Sequence, residues 1–365
     1  STMDNFAFII HPVEPQKDVA RKFPLLGRLP PAVIDYFCRF FPPVRLSHIT
    51  GIRSLATGKE IEGWLIACPL TPRRMLTVPV RVAYHKIIQT GRLAERLGAQ
   101  LLGLGAYTSV VGDGGITIAR SLRIPVTTGN SFTISVTIEA ALEAARRMDL
   151  EPAGCVAAVV GAYGSIGRAC SRLLARSVSQ LLLVGRKPDR LQEVQAQIEA
   201  AGGRAVATTD LAAIRQADIV LAVTTSLQPI IEPEHLKPGA VVCDVARPRN
   251  VSRRVAALRD DLLVIEGGVV ELPGAVDFGF DFGLPPGQAY GCMAETAALV
   301  LEGRFESYSL GREISLERVE EMARMAARHG IRLAGFRSFG QPLSDEQIEE
   351  TRKKAHAARK HDPLP

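Results

Sequence analysis

The chain has 365 residues, of which 47% are hydrophobic and 22% are charged, and its formal net charge is +6. This length is too great for one ordinary hydrophobic core, so two domains are expected. No apolar run approaches the roughly 18 residues of a membrane-spanning helix. The start of the chain lacks the pattern of a signal peptide, and no nucleic-acid-binding module is visible. We therefore expect a cytoplasmic protein that is not integral to a membrane and does not bind nucleic acid.

The six cysteines lie far apart and form no pair or Cys/His cluster with the spacing of a zinc site. In a long chain without a signal peptide this favours reduced thiols, and no metal is predicted. The positive charge is modest and suits an anionic cofactor or an acidic partner protein.

Residues 1–150 alternate strand-like and helix-like segments. Short apolar runs that indicate buried strands lie at 6–10, 63–68 and 101–105. Residues 79–97 carry apolar side chains at helical spacing, and the segment 126–130 leads into a helix predicted from about Thr133 to Met148. This alternation predicts a parallel sheet.

A polar break with proline and glycine at 149–154 precedes a sharper pattern. The strands expected after this break are 156–160, 180–184, 205–208, 218–223, 240–245 and 262–265. Helices are expected at 289–302 and 315–329. The charged segment 344–360 is expected to be a solvated helix with frayed ends.

The predicted fold class is α/β, with an N-terminal substrate domain followed by a Rossmann dinucleotide-binding domain. We predict an acyl- or substrate-binding α/β domain over 1–150 and the Rossmann domain over 151–288. Helices in 289–340 are expected to pack back across the cleft and close it. Residues 341–365 are expected to form a charged, partly flexible tail.

A glycine-rich turn directly follows the strand at 156–160, and a helix begins within it. Its GxxGxxG spacing allows a tight turn, close approach of the backbone to a pyrophosphate, and close packing of helix on strand. The N-terminus of the helix offers N–H groups to phosphates. This predicts a dinucleotide site, although the turn alone could be only structural. The residues expected to contact the cofactor here are Gly161, Tyr163, Gly164, Ser165, Ile166 and Gly167.

The strand at 180–184 is followed by Gly185, Arg186 and Lys187. An NAD site usually has an acidic residue here, which binds the ribose 2′-hydroxyl. Two cations at this position, with Arg190 as a third, favour the 2′-phosphate of NADP(H); the alternative is solvated surface charge.

The ends of two later strands supply further candidates for the cofactor site. Ligands meet an open α/β sheet at the carboxyl ends of its strands. Thr224 and Ala246 are therefore expected to border the nicotinamide riboside. Asp244 fits this site and the role of a turn former equally well.

A candidate nucleophile, Cys292, lies in the first turn of the helix predicted at 289–302. The helix dipole and free N–H groups there lower the pKa of a thiol and favour the thiolate. Glu295, three residues on, shares its face of the helix. Beside a nicotinamide, such a thiolate could accept an acyl group and present it for hydride transfer. Plain packing is the alternative for Cys292, and Cys68 is a weaker alternative nucleophile.

The chain resembles the long-chain acyl-[acyl-carrier-protein] reductases, best known from cyanobacteria, over most of residues 6–336. The segments that carry the resemblance are 104–110, 127–130, 161–167, 244–250, 267–268 and 290–295. The resemblance implies reduction of a fatty acyl thioester to an aldehyde, with Cys292 forming a thioacyl intermediate and NADPH delivering the hydride. A broader likeness to shikimate and amino-acid dehydrogenases supports the order of the domains.

One departure from the family pattern lies at 128–133, where the chain reads Thr-Gly-Asn-Ser-Phe-Thr. The family is expected to have Thr-Gly-Asn-Thr-His-Thr, so Phe132 replaces a histidine. Any proton transfer by that histidine must pass to another group or is not needed. His11, at a strand end, is a candidate, although a lone histidine is more often structural.

Three functions are compatible with these observations. The leading one is NADPH-dependent reduction of a fatty acyl thioester, carried by acyl carrier protein or coenzyme A. Its catalytic residues are predicted to be Cys292, Glu295 and Ser131, with Ser109 and Asn130 lining the reaction centre. The alternatives are an NADP-dependent dehydrogenase of a small ketone, hydroxy acid or amino acid without a covalent step, and a non-catalytic NADP(H)-binding module. A homo-oligomer is compatible with each.

Overall fold

The computed structural model describes residues 3–362. Over that range the chain packs as two compact units, each assembled from two stretches of sequence. The first unit contains the residues up to Thr133 together with Val269–Ala334. The second unit contains Ile134–Gly268 and the chain from Gly335 onward.

The strands, in chain order, are β1 Asn5–Ile10, β2 Val44–Arg53, β3 Glu60–Ala67, β4 Leu102–Leu104, β5 Val126–Thr127, β6 Val156–Val160, β7 Gln180–Val184, β8 Ala205–Thr208, β9 Ile219–Ala222, β10 Val241–Asp244, β11 Leu263–Glu266, β12 Val269–Glu271, β13 Gln288–Tyr290, β14 Arg332–Leu333, β15 Arg337–Ser338 and β16 Gln341–Pro342. The α-helices are α1 Pro15–Lys22, α2 Pro31–Cys38, α3 Pro72–Thr77, α4 Val80–Arg96, α5 Tyr107–Val110, α6 Ile116–Ser121, α7 Asn130–Arg147, α8 Ser165–Leu174, α9 Pro188–Ala200, α10 Arg253–Leu258, α11 Gly291–Glu302, α12 Leu316–His329 and α13 Asp345–Lys360. Short 3-10 turns lie at Leu26–Arg28, Pro152–Gly154, Leu211–Gln216 and Pro233–His235.

The main sheet of the first unit has the strand order β2-β3-β1-β4-β5. Strand β1 is parallel to β3 and β4, and β4 is parallel to β5, as the alternation of strands and helices predicts. The edge strand β2 was not predicted, and it runs antiparallel to β3 with two irregularities in its register. Its sequence mixes polar and apolar residues because only some of its side chains are buried, and this hides it from a search for apolar runs.

Helix α11 is buried against this sheet, where it packs on β1 and β4. Close packing requires small residues between the two layers. A Cβ on Gly103 of β4 would lie 2.2 Å from Oγ1 of Thr296 on α11. The sequence predicts the helix correctly. The contact with β4 determines which face of the helix packs on the sheet.

The main sheet of the second unit is fully parallel, in the order β11-β10-β9-β6-β7-β8. This is the strand order of a Rossmann domain. The chain adds strands on one side of β6 as far as β8 and then crosses to the other side of β6, where it adds β9 to β11. Its core consists mainly of valine, leucine, isoleucine and alanine side chains, because strands covered on both faces must be apolar throughout. The predicted α/β class and the Rossmann domain are confirmed.

The boundaries between the units differ from the predicted ones at 150 and 288. The break at 149–154 contains a 3-10 turn inside the second unit, and most of α7 belongs to that unit. The segment 269–334 returns to the first unit, where β12 pairs with β13 and β14. Pairing between strands distant in sequence leaves no mark on local composition, so polar linker segments do not indicate this boundary.

Most of the predicted flexible tail, 341–365, forms helix α13. Ser344 caps it in a reciprocal capping box with Gln347. Ile348 and Ala355 are buried, so one face of this charged helix packs against the second unit and is not solvated all round. The last three residues lie outside the described range.

Candidate active site

Cys292 is the second residue of α11, after Tyr290 as the N-cap and Gly291. The predicted position in the first turn of a helix is therefore correct. Cys292 is a partly exposed residue, whereas the other cysteines of the described chain are buried. The buried ones are Cys38, Cys68, Cys155, Cys170 and Cys243. Cys68, the alternative nucleophile, is fully buried, and burial raises its pKa to about 11.

The turn after β5 lies directly against Cys292. Gly129 has a φ of +74°, and a Cβ built on it would lie 2.2 Å from the Cα of Cys292. No side chain other than hydrogen fits that distance, and the positive φ also favours glycine. The segment 127–130, one of those that carry the family resemblance, is thus in contact with the candidate nucleophile.

A second backbone segment reaches the sulfur from the end of β4. The backbone N–H of Ala106 acts to lower the pKa of the Cys292 thiol. Ala106 has φ 47° and ψ −124°, a conformation that residues other than glycine rarely adopt. Two hydrogen bonds hold this turn: Ser109 Oγ donates to the carbonyl of Ala106 over 2.5 Å, and Tyr107 N–H donates to His11 Nε2 over 3.1 Å. The strain is therefore located in a backbone segment that affects the thiol of Cys292.

Burial raises the pKa of the Cys292 thiol to about 12, and the charge of Glu295 acts in the same direction. The N–H groups of Met293, Ala106 and Cys292 itself lower the pKa but do not outweigh burial. The expectation that the helix N-terminus yields a thiolate is therefore wrong for this protein without substrate. The same N–H groups would stabilise negative charge that develops on the sulfur, or on an oxygen beside it, during a reaction.

Glu295 is fully buried, and its carboxylate binds several donors around it. It accepts from Thr127 Oγ1, from Phe132 N–H over 3.0 Å, and from Ser309 Oγ over 3.0 Å. Burial still raises its pKa to about 6. These contacts tie α11 to the turn that presses on Cys292, so the geometry gives Glu295 a positioning role.

Ser131 belongs to the same buried network and is fully shielded from solvent. Ser309 Oγ lies 2.6 Å from Ser131 Oγ, and Ser131 N–H donates to Ser309 Oγ over 3.2 Å. Thr128 Oγ1 donates to the carbonyl of Ser309. Ser309, which sequence reasoning missed, has φ 54° and joins the segments 127–131 and 308–310.

Asn130 differs from its neighbours because its side chain makes no hydrogen bond to any residue within 3–362, although the residue is 3% exposed. It follows Gly129, which touches Cys292. A carboxamide next to Cys292 that is not committed to a protein partner is available for a ligand.

His11 does not serve as a free base in this structure. Burial lowers its pKa to about 4, so the ring is neutral at pH 7. Its Nε2 accepts from the N–H of Tyr107, which places the ring proton on Nδ1 beside the carbonyl of Pro12. The histidine holds the strained turn at Ala106.

The glycine turn of the second unit lies at the point where the strand order reverses. Gly161 has a φ of +91°, and a Cβ on Gly167 would lie 1.9 Å from the carbonyl oxygen of Gly161. These two glycines are required by the fold of the turn itself. Gly164 has room for a Cβ, whose nearest neighbour would lie 3.6 Å away. Protein packing does not explain this middle glycine, whereas close approach of a pyrophosphate does.

Ser165 and Ile166 begin helix α8, with Gly164 as the N-cap. Their backbone N–H groups belong to the first turn, where they have no partner within the helix. The ring of Tyr163 packs on Gly185, where a Cβ would lie 2.6 Å from it. Tyr163 thus lies beside the first residue after β7, as a cofactor contact would require.

Arg186, Lys187 and Arg190 are exposed at the start of α9. None of them forms an ion pair with a carboxylate in the described part of the chain. Three cations without protein partners at the end of β7 fit the position of a 2′-phosphate.

The ends of β9 and β10 meet at Asn250, which the sequence did not single out as a site residue. Its Oδ1 accepts from N–H and Oγ1 of Thr224 over 3.1 and 2.8 Å, and its Nδ2 is buried without a partner among residues 3–362. Ala246 is buried, and its N–H donates to Asp244. Asp244 also accepts from Val251 N–H, so it shapes this turn. Both alternatives for Asp244 stay open, because the carboxylate also lies at a strand end.

Residues 143–265 match the shikimate / quinate 5-dehydrogenase family. Over 305 residues the chain is 33% identical to the aminotransferase PigE of Serratia sp., covering 82% of this chain and 36% of that protein. The chain thus spans about a third of the length of that relative. It is 30% identical to a long-chain acyl-[acyl-carrier-protein] reductase of Synechococcus elongatus, covering 80% of this chain and 87% of the reductase. The chain belongs to the long-chain acyl-[acyl-carrier-protein] reductase family.

A second kind of reductase is similar to a shorter stretch of the chain. A glutamyl-tRNA reductase of Thermosynechococcus vestitus is 28% identical over 184 residues, which is 47% of this chain and 42% of that protein. The reductases and dehydrogenases among these relatives are oxidoreductases by name, so an oxidoreductase is supported. The family match and the Rossmann domain together confirm the predicted dinucleotide cofactor, NADP(H).

As a member of this acyl-[acyl-carrier-protein] reductase family, the chain places two family segments, 127–130 and 290–295, in contact. Phe132, which replaces the expected histidine, is buried, and its N–H donates to Glu295. Between residues 3 and 362, no group of three or more His, Cys, Asp or Glu side chains comes together as a metal site would require. None of the described helices is both long and apolar enough to cross a membrane.

Proposed function

We propose that this protein reduces a fatty acyl thioester to an aldehyde, with Cys292 as the nucleophile and NADPH as the reductant. The observation that carries the proposal is the environment of Cys292. Cys292 is a partly exposed residue at a helix N-terminus, and the backbone N–H groups of Ala106 and Met293, from two separate segments, act to lower the pKa of its thiol. Such donors favour a reaction in which negative charge develops at that point.

The proposed reaction has two steps. The sulfur of Cys292 forms a bond to the acyl carbon, and the carrier leaves as a free thiol that takes up the proton of the Cys292 thiol. NADPH bound at the glycine turn supplies a hydride to the same carbon. The carbon–sulfur bond then breaks, the aldehyde leaves, and the sulfur regains a proton from solvent. The products are the aldehyde, NADP⁺ and the free carrier thiol.

Each neighbour of Cys292 has a proposed role in these steps. The N–H groups of Ala106 and Met293 would stabilise charge on sulfur or on the thioester oxygen. The unpartnered carboxamide of Asn130 is a further donor for that oxygen. Glu295 and Ser131 are proposed to act through position, since both are shielded from solvent and committed to the buried network. A catalytic role in direct contact with substrate was predicted for both and is still a prediction.

A preference for NADPH over NADH follows from the charges after β7. Arg186, Lys187 and Arg190 are exposed cations, and an acidic residue that would bind a ribose 2′-hydroxyl is absent from positions 185–187. A 2′-phosphate would gain charge-assisted hydrogen bonds from such a cluster.

The carrier is proposed to be acyl carrier protein or coenzyme A. The Synechococcus relative is named for acyl carrier protein, which supports the first of these carriers. The first unit is proposed to bind the acyl chain, because it contains Cys292.

Intact-mass spectrometry tests the proposal directly. The protein is incubated with palmitoyl-coenzyme A in the absence of NADPH, and an adduct of one palmitoyl group on Cys292 is expected. Addition of NADPH should discharge the adduct and release hexadecanal. Cys292→Ala should form no adduct, whereas Cys38→Ala, a control for a buried cysteine of the same unit, should behave as the unaltered protein.

A dehydrogenase without a covalent step is the second candidate, because the match to the shikimate / quinate dehydrogenase family covers the nucleotide-binding region. Oxidation of NADPH by Cys292→Ala on a small ketone, with no adduct on the unaltered protein, would favour this candidate and exclude the first. Binding of NADPH without any turnover would favour a non-catalytic module.

A further inference from the structure

The segment 22–45 of the first unit carries an unusual number of exposed apolar side chains. We call it the 22–45 surface; it includes α2 and the turn at Leu26–Arg28. Seven of the 15 exposed large hydrophobic side chains in the described chain belong to it. Isolated exposed apolar residues are normal, but a concentration in one short segment indicates a contact surface.

The first part of the 22–45 surface exposes Phe23, Leu25 and Leu29. Leu25 is 75% exposed, so most of its side chain has no protein neighbour. Pro24 and two further prolines, Pro30 and Pro31, flank this part and restrict its backbone. The apolar side chains are therefore displayed on a restrained segment.

The second part exposes aromatic side chains on and after α2. They are Tyr36, Phe37, Phe40 and Phe41, and Phe40 is 65% exposed. The guanidinium of Arg39 lies 4.3 Å from the ring centre of Tyr36 and 4.5 Å from that of Phe40. Aromatic rings interleaved with a cation are typical of segments that bind at the interface of a lipid bilayer.

The charges of the 22–45 surface all have one sign where they meet solvent. The exposed charged residues are Lys22, Arg28, Arg39 and Arg45. The one acidic residue in the segment, Asp35, is buried and pairs with Arg74 Nε over 2.9 Å. The surface thus combines exposed apolar side chains with uncompensated positive charge.

Two contacts fix the 22–45 surface to the rest of the first unit. Asp35 binds Thr71 and Arg74 at the start of α3, and Lys86 Nζ on α4 donates to the carbonyl of Phe41 over 2.6 Å. The buried residues Ile34 and Cys38 anchor the opposite face of α2. The apolar face is therefore held outward by its packing and does not result from a loosely attached segment.

We propose that the 22–45 surface docks reversibly on an anionic lipid bilayer. The exposed leucine and aromatic side chains would enter the region between headgroups and acyl chains, and the four cations would contact lipid phosphates. The positive charge selects an anionic partner, and the exposed leucine and aromatic side chains among the cations favour a bilayer as that partner. A second copy of the chain would present the same four positive charges, and their repulsion disfavours pairing of this surface with itself. An acidic protein is the competing partner that the experiment must exclude.

Vesicle flotation with the full chain tests the proposal. The protein is mixed with vesicles of phosphatidylcholine alone or of phosphatidylcholine with 30% phosphatidylglycerol. It is expected to float with the anionic vesicles and to remain in solution with the neutral ones. Raising the salt concentration should weaken the binding, because part of it is electrostatic.

Two variants locate the binding on the 22–45 surface. Arg28→Glu/Arg39→Glu is expected to reduce partitioning at least about 25-fold, since each cation near an anionic surface contributes about fivefold. Phe37→Ser/Phe40→Ser should reduce it by a comparable factor through loss of apolar burial. Leu258→Ser and Arg253→Glu, which alter exposed side chains on α10 of the second unit, serve as matched controls and should float as the unaltered protein does.

A fluorescent reporter tests insertion independently of flotation. The chain has one tryptophan, Trp64, which stacks on His48 and contacts Arg45 at the end of the 22–45 surface, so the emission of the unaltered protein with the same vesicles is the reference. Phe40→Trp adds a second, whose emission should shift to shorter wavelength and be quenched by brominated lipids when anionic vesicles are added. Absence of flotation with anionic vesicles, or flotation equal for the variants and the controls, would overturn the proposal. An unshifted Phe40→Trp emission during flotation would also contradict it.

Discussion

Gly129 packs on Cys292 so closely that a Cβ at position 129 would lie 2.2 Å from the Cα of Cys292. Gly129 lies in the turn whose Thr127 and Phe132 donate to Glu295. The backbone beside the proposed nucleophile is therefore fixed by one glycine and one buried carboxylate. This relationship makes the position of the thiol sensitive to changes that do not touch the sulfur.

Gly129→Ala should therefore impair acylation of Cys292. The new methyl group would meet the backbone of residue 292, and the φ of +74° would add strain. We expect a loss of stability of about 1–3 kcal/mol and a decrease in acylation rate of about a hundredfold. Denaturant unfolding and time-resolved intact-mass spectrometry measure the two effects.

Gly98→Ala is the matched control for that substitution. Gly98 lies in the same unit with a φ of +81°, but nothing lies within 4 Å of its Cβ position. It should lose stability through backbone strain and keep its acylation rate. Equal losses of acylation in the two variants would show that the contact with Cys292 is not what matters.

The pKa of Glu295 predicts a pH dependence of stability. Burial raises this pKa from 4.5 to about 6, so Glu295 keeps its proton to a higher pH in the folded protein than in the unfolded chain. The stabilisation is fully present below pH 4.5 and is lost as the pH rises through 6, by about 2 kcal/mol in all. Glu295→Gln should remove this slope. The difference between the free energies of unfolding of the two proteins, measured from pH 4 to 7, isolates the contribution of Glu295, and an unchanged difference across that range would refute the assignment.

His11 predicts a dependence of the opposite sign. Burial lowers its pKa from 6.5 to about 4, so the unfolded chain binds the proton first as the pH falls. Its contribution to stability is present above pH 6.5 and is lost as the pH falls through 4, by about 3 kcal/mol. His11→Gln should flatten the pH profile of unfolding over that window. It should also slow acylation, because the N–H of Tyr107 loses its acceptor beside Ala106.

The raised pKa of Cys292 predicts how the free enzyme reacts with iodoacetamide. With a thiol pKa of about 12, the rate of alkylation should rise about tenfold per pH unit from pH 7 to 10, without a plateau. Peptide mass spectrometry after timed quenching reads the modification at this residue alone. A plateau below pH 8 would mean that the N-terminus of α11 lowers the pKa of the thiol by more than burial raises it.

Reversal of the charge at Arg186 should change the cofactor preference. Arg186→Glu should weaken binding of NADPH at least about tenfold and leave NADH binding nearly unchanged, since only NADPH carries the 2′-phosphate. Arg204→Glu, at another exposed arginine of the second unit, controls for the change in net charge. Titration by fluorescence measures both cofactors, and an equal effect of the two variants on NADPH would count against the site.

Much of the Rossmann unit could be predicted from the sequence because its signals are local. Each parallel strand from β6 to β11 is a short apolar run. Gly167 is required by its contact with Gly161, six residues earlier, and Gly161 is favoured by its own positive φ. Cys292 at the start of a helix is also a local pattern. Hydrophobic periodicity and turn-forming residues depend only on neighbours in the sequence, so these features can be predicted from the sequence.

Only the tertiary structure showed the features that depend on contacts between residues distant in sequence. The return of 269–334 to the first unit, the edge strand β2 and the network that joins Glu295 to Thr127 and Ser309 have no local signature. The protonation state of Cys292 belongs to the same class. The sequence correctly placed the thiol at the N-terminus of a helix, but burial outweighs the helix donors, and burial is a property of the folded unit.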